Sequence, residues 1–101
     1  MFGIDAFVDR IFAEKKEHDP DPEKEKKDLK FRVERTLCLV VVKELGPSRL
    51  TEQLMRAVED KTPPHDKELF DYLQMYVPNK DWNKIIVQEA FEEMRKRYLK
   101  L

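Results

Sequence analysis

Apolar residues recur along this chain at helical intervals. Ile4, Phe7, Val8, Ile11 and Phe12 fall at i, i+3, i+4, i+7 and i+8, while Asp5, Asp9 and Lys16 lie on the other side. That stripe predicts an amphipathic N-terminal helix within residues 1–17. His18-Asp19-Pro20-Asp21-Pro22 is polar and broken by proline, so residues 18–21 read as a linker.

The second helix is predicted over about 22–45. Asp21 suits the N-cap, Pro22 the first helical position, and Glu23 and Glu25 the positive end of the helix dipole. Leu29, Val33, Leu37, Val40, Val41 and Leu45 carry a helical stripe to Gly46-Pro47, a stop signal. A strand is the rival reading, because Phe31, Val33, Leu37, Leu39 and Val41 also fit a period of two. No second segment reads as a strand, and a lone strand leaves its backbone groups unpaired unless another copy of the chain supplies them. Leu37-Cys38-Leu39-Val40-Val41-Val42 is apolar on every side of this helix. Such a run is expected to be enclosed on every side, which makes the second helix the centre of the fold.

Three further helices follow. Ser48 caps a segment to about Lys61, with Leu50, Leu54, Ala57 and Val58 inward. Thr62-Pro63-Pro64 turns the chain into a segment from about Asp66 to Val77, with Leu69, Phe70, Leu73 and Val77 inward. The last segment starts at an Asn79 or Asp81 cap and carries Trp82, Ile85, Ile86, Ala90, Phe91, Met94, Tyr98 and Leu101. The expected architecture is an all-α, single-domain bundle of about five helices, with residues 22–101 forming its core. Two glycines in the whole chain would not supply the tight turns of an all-β domain.

Composition adds a charged, nearly neutral surface. Lys and Arg number 20 against 21 Asp and Glu, and 41% of all residues are charged. A dedicated nucleic-acid binder usually shows a basic excess, which is missing here. The Lys- and Glu-rich surface is a bias shared by hyperthermophile proteins and ordinary helical bundles, so a thermophilic source fits as well as a mesophilic one. No apolar run reaches the roughly 18–20 residues of a membrane span, and the start of the chain lacks the pattern of a signal peptide. A cytoplasmic protein is the expectation. Cys38 is the single cysteine and lies within the apolar run, so an intrachain disulfide is excluded and a small buried hydrophobe is expected.

Candidate chemistry is sparse. His18 and His65 both lie in polar, proline-bearing linkers and are expected to be solvated. Neither lies near enough in sequence to Cys38 for a metal or nucleophile spacing. Asp19, Asp21, Glu23 and Glu25 alternate like a calcium loop, but Lys24 and Lys30 occupy the places of its glycine and bidentate glutamate. From Glu14 to Arg35 acids and bases balance at eight each, the pattern of a solvated helix face. No cofactor, metal site or catalytic constellation is expected.

Two functional readings remain. In the first, a small non-enzymatic protein binds another protein or a second copy of itself. Its apolar anchors would be Phe2, Ile4, Phe7, Val8, Ile11 and Phe12 on the N-terminal helix, unless that helix folds back onto its own bundle. Asp5 and Asp9 on its polar side argue against a membrane-surface role. In the second, an accessory nucleic-acid binder would use Arg95, Lys96, Arg97 and Lys100. Tyr72, Tyr76 and Trp82 could add a stacking platform there, although such residues beside proline stops more often close a core.

Overall fold

Local capping chemistry sets most of the helix ends. In the computed structural model, which describes residues 2–99, α1 spans Ile4–Glu14, α2 Pro22–Leu45, α3 Arg49–Glu59 and α4 Asp66–Tyr76. The last helix, α5, is continuous over 82–99 in three parts: Trp82–Ile85, a π-helical stretch Ile86–Phe91, and Glu92–Leu99. The described residues are all-α and contain no strand. Asp21, Ser48 and Asp81 each accept a hydrogen bond from the backbone N–H three residues on, satisfying a donor that the helix itself leaves open. Gly46 closes α2 at φ 71, where a Cβ would be strained, and its N–H returns to the Val42 carbonyl. Leu101 of the last predicted stripe lies outside the described residues.

The π-helical stretch follows from an unusual spacing. Trp82, Ile86, Ala90, Met94 and Tyr98 recur every four residues, and all five pack into or against the core. At 3.6 residues per turn, a strict four-residue repeat drifts by about 40° per step, so a straight α-helix would swing its ends away from the core. Wider i→i+5 turns absorb that drift. Trp82, Ile86, Ala90 and Met94 are buried as a result.

α2 lies at the centre, packed against α1, α3 and the π-helical stretch of α5. α1 runs antiparallel to it, pinned by Lys30–Asp5 at 3.1 Å, Lys26–Asp9 at 2.7 Å and Lys15–Glu25 at 2.8 Å. Phe7 stacks on Phe91 with ring centroids 4.2 Å apart, which ties α1 to α5 as well. Phe2 meets Phe70 of α4 edge to face at 5.5 Å.

The central apolar run departs from expectation. Leu37, Cys38 and Val41 are wholly enclosed, but Leu39 is 42% exposed and Val40 and Val42 are only half-buried. Consecutive helical residues point about 100° apart, so full enclosure needs neighbours all the way round α2. The helices that pack on it leave one side open.

Candidate partner-binding face

α4 carries more apolar surface than its packing uses. Leu69 and Leu73 enter the core, as their spacing predicts. Tyr72, Met75 and Tyr76 then form a second stripe at i, i+3 and i+4, and they stay 43%, 71% and 62% exposed. The two tyrosine rings lie nearly parallel with centroids 6.3 Å apart, so each limits the other's rotamers. Beside Tyr76 opens a cleft of about 440 Å³, where the end of α2, the start of α3 and the end of α4 meet. Leu45, Leu50 and Val77 supply its apolar lining, with Ser48, Arg49 and Gln53 among its polar residues.

Rigid neighbours hold this cleft in shape. The Trp82 indole N–H donates to the Val77 carbonyl at 3.0 Å, which fixes the turn after α4. Ser48 is committed to Thr51, accepting from its N–H and donating to its hydroxyl, while the Thr51 hydroxyl donates to the Gly46 carbonyl. Lys80 pairs with Glu44 at 2.8 Å, which ties that same turn to the end of α2. Exposed tyrosine and methionine anchors beside an apolar cleft with polar edges are the composition of a protein-binding surface.

The residues expected to anchor a partner sit elsewhere. Phe2, Ile4, Phe7, Val8 and Ile11 are buried within the chain's own core. Their apolar face is spent on α2, α4 and α5, which corrects the expectation that it is free for another chain. Phe12 is half-buried, its ring 5.6 Å from the Lys26 ammonium and 4.7 Å from the His18 ring. The basic set is divided too. Arg95 is half-buried, Lys96 and Arg97 are exposed, and Arg97 lies 3.9 Å from Glu93. Lys100 falls outside the described residues. Of the three candidate stacking rings, Trp82 is core while Tyr72 and Tyr76 are not.

Both histidines are exposed, as their polar linkers predict, yet each also meets a buried glutamate. His18 Nδ1 lies 3.1 Å from Glu25 and His65 Nδ1 lies 2.6 Å from Glu34. These glutamates are the two buried charged residues among those described, both on α2, and each holds down one linker. The Lys15 ammonium holds the Glu25 carboxyl below its usual range against the opposing effect of burial, and His18 adds to the lowering. Burial, helped by the charge of Glu34, pushes the Cys38 thiol up to about 12, which suits a packing residue rather than a nucleophile. Among the described residues no group of three or more His, Cys, Asp or Glu is placed to hold a metal ion. No helix there is long and apolar enough to cross a membrane.

Sequence reasoning missed Met75 altogether and weighed the tyrosines only as a stacking platform or as residues that close the core. The available signal was an apolar arc on α4 wider than one core-facing stripe needs. No protein-family model, curated protein or solved structure matches this chain.

Proposed function

We propose that the protein works by binding an apolar segment of another protein against the α4 face. One observation carries this reading: Tyr72, Met75 and Tyr76 stand exposed together beside the cleft lined by Leu45, Leu50 and Val77. Large side chains seated in pockets dominate interface energetics, and tyrosine does so at low entropic cost because only two torsions need fixing. The polar groups of Arg49 and Gln53 offer hydrogen bonds at the edge, where they orient a partner without a large desolvation cost.

The nucleic-acid reading has less support. Arg97 is partnered by Glu93, and Glu89 lines the same groove, so phosphates approaching this surface meet carboxylates as well. The tyrosine pair belongs to α4, whereas that basic stretch belongs to α5.

A photo-crosslinking side chain placed at Met75 tests the proposal, with the same group at Lys24 of α2 as the control. In extracts of the source cell, the Met75 probe is expected to capture a defined protein that the Lys24 probe does not. Tyr76→Asp in the same chain should abolish that capture while leaving the helical circular dichroism unchanged. Equal capture at both positions, or capture insensitive to Tyr76→Asp, overturns the proposal.

A further inference from the structure

The open side of α2 forms a second surface, built from different residues. Leu39 and Val40 of α2 line a groove of about 450 Å³ against α5, with the buried Met94 among its lining residues. Lys43 and Arg97 bring positive charge to this groove, and Glu89 and Glu93 bring negative charge. All four charged residues are exposed.

That balance restricts the occupant. A ligand of one charge sign meets two attractive and two repulsive groups. A matching occupant needs a projecting apolar residue flanked by both signs in equal measure, and the exposed Leu39, beside the same four charged residues, is one. Two-fold contacts require such self-complementarity, because every residue of the patch meets the same patch inverted. We propose that the groove between α2 and α5 binds a second copy of the chain, through its own α2. With the axis near Leu39 and Val40, position 36 of one copy faces position 43 of the other. Leu39 of each copy then covers Val40 of its partner, and each Lys43 reaches the acidic residues of the opposite α5. Two copies of α2 and two of α5 thereby complete a four-helix layer around the run that one copy leaves half covered.

A dilution series on the full chain, from about 1 µM to about 1 mM, measures the association by sedimentation velocity. A reversible monomer–dimer equilibrium is expected, and Leu39→Asp should abolish it. Lys43→Glu and Glu93→Lys should each weaken it by about tenfold or more, because each homodimer then pairs like charges. Mixing those two variants should restore a heterodimer, since every 43–93 contact is again between opposite charges. Circular dichroism verifies that each variant folds. A wild-type monomer throughout the range overturns the proposal, as does a dimer indifferent to Leu39→Asp or a mixture that stays monomeric. Loss of the dimer in Tyr76→Asp would place the second copy on α4 and would overturn it too.

Discussion

The Asp66 carboxylate caps the helix that begins at Ile4, 62 residues earlier in the chain. One of its oxygens accepts from the Phe2 N–H at 2.7 Å, and the other accepts from Gly3 at 2.9 Å and Ile4 at 3.0 Å. Gly3 stands at the N-cap of α1 with φ 81 and has no side chain to do this itself. Asp66 is also the first residue of α4, so one carboxylate fastens the starts of two helices together.

Asp66→Ala is therefore expected to destabilise the protein by about 1–2 kcal/mol, the upper range for loss of a helix cap. The loss should be local in origin. Hydrogen exchange at Phe2, Gly3 and Ile4 should accelerate strongly, while the amides of α3 follow only the change in global stability. Unchanged exchange at these three amides would refute the cap.

This contact marks the boundary of what the chain's pattern discloses. Asp21, Ser48 and Asp81 cap amides three residues away, so the helix starts they set are legible from short stretches. Asp66 reads the same way, as an acidic residue in a first turn, and nothing nearby reveals its remote partners. The N-terminal stripe likewise announces a face to be buried without saying which helices bury it. Leu39 fails in the opposite direction, since the pattern asks for enclosure that the neighbouring helices do not supply. On α4, spacing alone cannot separate Leu73, which meets the core, from Tyr76, which borders it. Periodicity reports the width of an apolar face, and only packing decides how much of that width is used.

Acid should loosen the first linker. The folded-state pKa of Glu25 is lowered from 4.5, chiefly by Lys15 and also by His18. A depressed carboxyl pKa contributes stability that is present above the unfolded value and lost as pH falls through the folded one. Denaturation measured from pH 7 downward should show this contribution intact to about pH 5 and declining below about pH 4.5. In Glu25→Gln that decline should be smaller, with lower stability at neutral pH. An identical acid profile in wild type and variant would show that the ion pair does not contribute.

Lys61 offers a route to greater stability. It adopts φ 60 after α3, while its N–H and that of Thr62 return to the Val58 and Ala57 carbonyls at 3.1 and 2.9 Å. This is the left-handed helix ending at which glycine normally sits. Lys61→Gly removes the Cβ strain and should raise stability by about 0.5–1 kcal/mol, measured by urea denaturation. A drop in stability would mean that the lysine side chain contributes more than the strain costs.

Cys38 should serve as a silent thiol in the native state. It is wholly buried, and its pKa is pushed up to about 12. Labelling with iodoacetamide at pH 8 should be negligible in the folded protein and complete in urea. The labelling rate in intermediate denaturant should follow the global unfolding equilibrium. Rapid labelling without denaturant would place the thiol at a surface and contradict the burial of Cys38.

The wide turns at Ile86–Phe91 also bear on how this helix tolerates changes in length. A π-helical stretch holds about one residue more than the α-helix it interrupts. Removing the exposed Val87 would let the segment rewind as ordinary α-helix without rotating Trp82 away from Met94. Most helices are thrown out of phase by a single deletion. This one carries a spare residue, so its two ends can keep their alignment at either of two chain lengths.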